Sequence, residues 1–576
     1  MSIAIPPKLN LSYPAILGFF GRHRVKARSE SAALLAWFLD NYYHLEPTEV
    51  ADSICDRKFD KGIDGIYVND LVQQVDLLQA VIGTATPVQR LGDTDLKDLL
   101  GSLTQFSSGD SVRTLAKSVD KKNPELAQLL DRLDVAAKID DGYTVRPVFV
   151  TNKVRDTEAI EFLTYNPHLV LYDGLELEKE YLSPEKVGPI ASKIDFDISG
   201  VGALRYTKGN DVDMAIAPLL ASELVMMEGI ASQELFAWNV RYRLRRSPIN
   251  KAIDISVQTT QEHRYFPAFH NGLTVLCETL EVDTKANVIT VSGYAVVNGC
   301  QSLTSLYENR AKLTSELRIL TKFVKASPGG DLATKITDRT NRQNGIGGRD
   351  RQSNNVIHTR LQTDLRNRYG SEVYYRVARG EHLEWETNKV IDNEQIARVL
   401  LAFDLRQPES CHQTYKLFED FHSDIFGRKE VNADRLVALF DLDKVIQAEL
   451  PNMSHDLFAD YSLTRYLFHF LTREALDTDT TGKEFVRNPS AFLAEANGRV
   501  RLTVALTPVV SALMRLTDAE LKRREDAIPP ESFDYKKDLK SKGKVGELRS
   551  RVIPGYQMAI DAKMAKRFSD HWEESA

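Results

Sequence analysis

The chain has 576 residues, a formal charge of −7 and a pI near 6.0. That length is too great for one hydrophobic core and sets two or three domains as the expectation. The charge excludes a histone-like or polybasic protein, because tight non-specific duplex binding needs many phosphate-neutralising cations, so any nucleic-acid contact must be local.

Cys55, Cys277, Cys300 and Cys411 stand far apart with no C-x-x-C pair. They read as free thiols in a reducing cytoplasm, not as a disulfide scaffold or a zinc site. The start, MSIAIPPKLN, has no basic region leading into a long apolar run. The most apolar internal stretch, Ala215 to Ala231, carries Glu223 and Glu228, so no membrane span is expected.

In chain order, Leu34, Leu35, Phe38 and Leu39 recur at helical spacing and predict an amphipathic helix from Glu30 to Tyr43. Gly65 to Val68 and Val75 to Ile82 read as two strands around the turn pair Asn69-Asp70, hence a hairpin. A charged helix follows over Asp95 to Leu103. Val145 to Thr151 and His168 to Tyr172 then read as buried strands on either side of a helix from Asp156 to Leu163. Strands alternating with helices imply an α/β domain over residues 1–185.

The middle, residues 186–390, reads as α+β. Its strands are expected at Ile253 to Gln258, Gly272 to Glu278, Val288 to Gly293 and Leu317 to Lys325, and its helices at Gln301 to Leu313 and Ala333 to Thr340. From 391 to 576 helical periodicity dominates, with Pro451, Pro489 and Pro508 as breakers. The charged stretch from Lys522 to Arg551 reads as a solvated helix or tail.

Two constellations carry chemistry. In the first, Asp60, Gly62, Asp64 and Gly65 precede the hairpin, and Gln79 stands on its second strand. This resembles the core of Mrr-like PD-(D/E)xK nucleases, which implies a restriction-endonuclease-like fold. The resemblance further implies Mg²⁺ held by Asp64 and Gln79 as catalytic residues, since a hard cation takes oxygen ligands and activates water at phosphate. The lysine that the pattern places two residues after Gln79 is replaced by Val81. The domain therefore reads as a retired scaffold. An active Mg²⁺-dependent nuclease using Lys58 or Lys61 is the alternative.

The second constellation comprises FHNGLTV (Phe269 to Val275), VVNGCQSLTSLYEN (Val296 to Asn309) and KITDRTNRQNGIGGRDRQSNN (Lys335 to Asn355). A strand running through Asn298-Gly299 into a helix opened by Gln301 and Ser302 exposes N–H groups suited to an anion. The three segments in this order, NG-L-T, VNG-x-Q and TN-x-QN followed by an Asp, resemble the AIPR (abortive infection phage resistance) family over about residues 190 to 430. The resemblance implies a bacterial or mobile-element protein of anti-phage defence.

A more distant similarity, to DGQHR-type and chromosome-partitioning CTPase domains, implies DNA, RNA or nucleotide as ligand. Asn271, Asn298, Gly299 and Gln301 would form one end of the site, and Asn341, Arg342, Gln343, Asn344, Arg349 and Asp350 the other. Planar amides suit bidentate base contacts, although a buried amide network explains each residue equally well. Basic residues cluster from Lys335 to Arg368, and again at Arg241, Arg243, Arg245 and Arg246, which would extend that surface.

Three functions remain open: a nucleic-acid- or nucleotide-binding defence protein, an active nuclease, and a non-catalytic subunit that senses a phage component or a co-encoded defence protein through its helical region, with oligomerisation compatible with each. His270 reads as a structural hydrogen-bonding residue. Walker A, G-x-S-x-G and H-E-x-x-H motifs are absent from the sequence.

Overall fold

Eight consecutive buried residues, Ala32 to Leu39, make helix α1 (Glu30–Asn41) apolar on every side, as a helix enclosed by protein must be. Ser29 caps it, its hydroxyl accepting from the Ala32 N–H at 3.0 Å. The computed structural model describes residues 9–26, 28–43, 45–55, 62–70, 73–85, 89–119, 123–180, 190–209, 212–230, 234–236, 256–326, 332–333, 336, 356–370, 372–377, 385–418, 420–528, 531 and 533–576. The chain forms two compact units. One comprises Met1–Arg24, Arg28–Glu46 and Ser53–Ile346, and the other Val25–Ala27, Pro47–Asp52 and Gly347–Ala576.

Among the described residues the first unit holds two larger sheets and a two-stranded parallel pair, Arg90–Leu91 with Val154–Arg155. Strands β1 (Gly65–Asn69), β2 (Gln74–Val81), β3 (Thr144–Thr151) and β4 (Val170–Tyr172) lie in that order. β1 and β2 form the antiparallel hairpin expected from the sequence, and β3 and β4 continue the sheet in parallel. Parallel strands need a crossover. Here it runs through α2 (Thr94–Leu103), α3 (Gly109–Val119) and α4 (Pro124–Arg132), whose Leu96, Leu99, Val112, Leu115, Leu126 and Leu129 share a core with Val75, Leu77 and Phe149 of the sheet. The returning crossover from β3 to β4 is α5 (Thr157–Tyr165), capped by Asp156.

Two polar groups fix this layer. Asn152, just past β3, is buried. Its Nδ2 donates to the carbonyls of Leu11 and Gly83, and its Oδ1 accepts from the Gly83 N–H. Asp76, 1% exposed on β2, accepts a two-pronged bond from Arg146 at 2.8 and 2.7 Å, and also bonds from Tyr43 and Gln74.

The second sheet has six strands in the order β5-β9-β8-β10-β7-β6: β5 (Ile190–Asp197), β6 (Leu204–Lys208), β7 (Val212–Leu220), β8 (Leu273–Asp283), β9 (Val288–Asn298) and β10 (Arg318–Lys325). All neighbours are antiparallel except β8 and β10, which are parallel. A short helix, α6 (Phe266–Phe269), precedes β8, and α7 (Cys300–Glu308) links β9 to β10. One face is a core of Phe196, Ala215, Val275, Val291, Val296 and Phe323. Two expectations need correction. Residues 256–258 are helical, not strand, because Val257 turns inward as a single buried anchor. The β8–β9 hairpin is longer than its apolar pattern, since its outer ends carry exposed Glu278, Glu281 and Asp283.

The second unit is helical around one continuous core, with a two-stranded parallel pair, β11 (Tyr374–Arg376) and β12 (Val390–Asp392), at its start. Its helices include α8 (Val356–Tyr369), α9 (Asn393–Phe403), α10 (Ala433–Glu449), α11 (Ser462–Leu476), α12 (Gly498–Asp526) and α13 (Lys542–Asp561). Pro508 does not break α12. The carbonyl it leaves without a helical donor belongs to Val504, which is 56% exposed. Nor is Lys522 to Arg551 a solvated tail, because Leu539, Val545 and Leu548 lie in the core. By length and composition α12 is long and apolar enough to cross a membrane, and 50% of that apolar stretch is buried within the unit.

The Arg146–Asp76 pair yields a stability prediction. Removing the guanidinium strands a buried carboxylate, so Arg146→Met should cost about 3 kcal/mol in denaturant unfolding. Arg113→Met, which removes a solvent-exposed pair with Asp110 and Asp140, should be near neutral.

Candidate anion site in the central sheet

The segments FHNGLTV and VVNGCQS meet where β9 ends, β8 begins and α7 starts. Thr274 pairs with Asn298, with an irregularity in the ladder just beyond it. Gly299, at φ +87°, caps α7 in the left-handed region. A Cβ there would stand 2.4 Å from Leu273 Cδ2 and 2.9 Å from the Gly272 carbonyl oxygen. Gly272, at φ +84°, could not take one either, because the Leu320 carbonyl oxygen of β10 would lie 2.3 Å away. Only glycine satisfies both the backbone angle and the spacing at these two positions.

Because the cap is glycine, no side chain closes the first turn of α7. The dipole and the first-turn N–H groups therefore favour an acceptor from outside the helix. His270 holds this turn against the strand start. Its Nδ1 accepts from the Gly272 N–H at 2.9 Å, so the proton sits on Nε2, which donates to Ser302 Oγ at 2.5 Å. Burial lowers the His270 pKa to about 4, and its ring stacks on buried Phe266.

Lys322 lies two strands from the start of α7, on the sheet face opposite the core of Val275, Val296 and Phe323 that α7 joins. The parallel register sets Thr274 beside Lys322, so Asn298, Thr274 and Lys322 form a row across three adjacent strands. Cross-strand partners share a sheet face, which makes this row one surface. Lys322 is half-buried, has no hydrogen-bond or ion-pair partner among the described residues, and its pKa is lowered by desolvation. A desolvated ammonium without a counterion favours a bound anion.

In the N-terminal sheet, Gly65 pairs with Leu78, which brings Asp64 across from Gln79. Asp64 is buried, and its Oδ2 accepts from the Ala80 N–H at 2.7 Å. Gln79 Oε1 is buried and has no hydrogen-bond partner among the described residues. Val81 packs onto the core beneath α2 to α4. No group of three metal-ligating side chains occurs among the described residues. Among the described residues, one carboxylate already engaged by the backbone, one amide and a valine do not fit Mg²⁺.

Of the other predicted residues, Asn271 is exposed between His270 and Gly272, and Gln301 lies in the first turn of α7. Asn341, Arg342, Gln343, Asn344, Arg349 and Asp350 lie outside the described residues, as do Lys58, Asp60, Lys61 and Arg241 to Arg246. Of the basic stretch from Lys335 to Arg368, only Arg360, Arg366 and Arg368 lie among the described residues. Arg368 pairs with Asp434 at 2.8 Å, and Arg360 reaches the Val431 carbonyl, both inside the helical unit. Lys322 and Thr274 were not singled out from the sequence, although a lysine inside the apolar strand RILTKFVK is a usable signal.

The matched family model, AIPR protein, covers residues 236–542, which is more than half of the chain and includes α6, β8, β9, α7 and β10. The chain belongs to the AIPR family, and with that membership goes an abortive-infection, anti-phage role. No curated protein and no solved structure matches the chain.

Two predictions follow from this geometry. Gly299→Ala should cost about 2 kcal/mol or more, since it adds a close contact to the left-handed penalty. Gly200→Ala, at φ +75° with open space around it, should cost about 1 kcal/mol; thermal denaturation compares them. His270 is a base whose folded pKa is depressed, so between its ordinary 6.5 and about 4 the unfolded chain binds the proton and the folded chain does not. Its contribution is intact above pH 6.5 and is lost as pH falls towards 4, by an amount on the order of 3 kcal/mol. His270→Gln should flatten that part of the pH–stability profile relative to the unsubstituted protein.

Proposed function

We propose that this AIPR protein binds nucleic acid or a nucleotide through its central sheet, with the phosphate received between the first turn of α7 and Lys322. The observation that carries the reading is one row, Asn298–Thr274–Lys322, that runs from the strand leading into a helix without a side-chain cap to a half-buried lysine unpaired among the described residues. A helix N-terminus supplies backbone donors and a positive dipole end, and the ammonium adds a point charge. In this reading Asn298, at the end of β9, contributes an amide group, which suits a base edge. In this reading the N-terminal sheet is a scaffold for binding or assembly, and the defence role of the family acts through ligand recognition in a bacterial cytoplasm.

The second reading is a Mg²⁺-dependent nuclease built on the N-terminal sheet. The position of Asp64 across from Gln79, with an unpartnered buried Oε1 beside it, supports a descent from the PD-(D/E)xK core. The packed Val81 and the engaged Asp64 oxygen weigh against present activity. A third role, sensing a phage component through the helical unit, has no residue-level support comparable to the central junction.

Fluorescent DNA, RNA and nucleotide binding to the purified protein, with and without Mg²⁺, separates these readings. Lys322→Ala should weaken binding about tenfold or more and lower the salt dependence by about one phosphate contact. Asp64→Ala should leave binding unchanged. Mg²⁺-dependent cleavage abolished by Asp64→Ala would establish the nuclease reading instead.

A further inference from the structure

Immediately before His270, two aromatic side chains stand in solvent. Tyr265 is 48% exposed and Phe269 63% exposed, whereas Phe266 between them is buried in the sheet core. Their rings lie 6.1 Å apart with 35° between planes, and the Arg264 guanidinium sits 4.7 Å from the Tyr265 ring centre. Exposing two large rings side by side costs hydration free energy that the fold recovers nowhere among the described residues. The pair is firmly placed, since Phe266 and His270, which alternate with it, are anchored to the core and to the first turn of α7. Phe269 is one residue, about 3.8 Å of backbone, from the histidine that holds that turn.

We propose that Tyr265 and Phe269 form a base-stacking platform and that the ligand of the central sheet is a single-stranded nucleic acid, its bases lying on these rings and its backbone phosphate at α7 and Lys322. This inference rests on the anion-binding reading of that junction and narrows it to one ligand class. A single strand presents what the surface complements: unpaired bases for the rings and a phosphate within a nucleotide's length for the helix end. A duplex keeps its bases stacked within the helix and offers these rings only its edges. Arg264 adds a cation beside the platform, and Glu262, a partly exposed carboxylate on the same 3₁₀ turn (Thr260–Tyr265), disfavours phosphate there and directs the backbone towards α7. An acidic protein thereby binds a polyanion through a local cationic point and neutral stacking instead of a basic surface.

The test is fluorescence anisotropy of the full-length protein with labelled oligothymidylate, oligouridylate, a duplex of equal length and an abasic oligomer. The single strands should bind more tightly than the duplex and the abasic oligomer. Tyr265→Ala with Phe269→Ala should weaken single-strand binding by roughly 5- to 150-fold, the range for losing one stacked base, without changing the salt slope. The ring-preserving pair Tyr265→Phe and Phe269→Tyr should bind as the unsubstituted protein does. Both positions are exposed, so thermal stability should stay constant across the set.

Unaltered single-strand affinity in the double alanine variant, or a duplex bound as tightly as a single strand, overturns the platform. If Lys322→Ala alone weakens binding, the anion site stands and the platform falls. If neither variant changes binding, both readings fall. A change of oligomeric state in the double variant, with oligonucleotide binding intact, would assign the rings to a protein contact and overturn the proposal.

Discussion

The central sheet depends on the close approach of two glycines. Gly272 lies against the Leu320 carbonyl, Gly299 lies against Leu273 and the Gly272 carbonyl, and the whole junction of β8, β9, β10 and α7 is set by those distances. A methyl group at either position would separate the strand start from the helix start. The His270–Ser302 bond, the orientation of the first helical turn and the placement of Lys322 beside Thr274 would then lose their common frame. The polar residues around the junction act on this backbone arrangement and do not create it, because the bond from Gly272 to His270 itself originates in the glycine's main chain.

Electrostatically, the protein uses few cations in dry places instead of many in wet ones. Many lysines and arginines among the described residues are matched by carboxylates, as in Arg146 with Asp76, Arg155 with Asp173 and Arg435 with Asp404. In such pairs the charge is spent internally, and the surface keeps its acidic balance. Lys322 differs in being half-buried and unmatched among the described residues. A single such ammonium exerts more force on a nearby anion than several exposed ones, since the surrounding medium screens it less.

Much of the first sheet was legible in the sequence because its signals are local. Helical spacing marked Leu34 to Leu39, the Asn69-Asp70 turn marked the hairpin, and the apolar runs at Val145 and Leu169 marked buried strands. Gly299 was also legible, as a turn former, whereas Gly272 was read as the start of a strand, and the reason for both glycines is a contact between segments far apart in sequence. Lys322 was missed for the same reason, since its interest lies in a cross-strand neighbour 48 positions away. Errors in the helical unit came from treating one residue as decisive. Pro508 counts as a breaker only where its freed carbonyl is shielded, and the charges of Lys522 to Arg551 obscure the apolar residues at 545, 548 and 552 that bury one side of α13.

Under the nuclease ancestry proposed above, Val81 bears on the history of the N-terminal sheet. Its side chain is now part of the layer beneath α2 to α4. A lysine placed there would have to thread its stem through that layer and hold its ammonium at the rim, so the substitution would weaken the domain before any chemistry could reward it. Such a position acts as a ratchet: once apolar packing occupies the place of a reactive group, the route back leads through less stable intermediates, and new activity in the chain is more readily gained elsewhere.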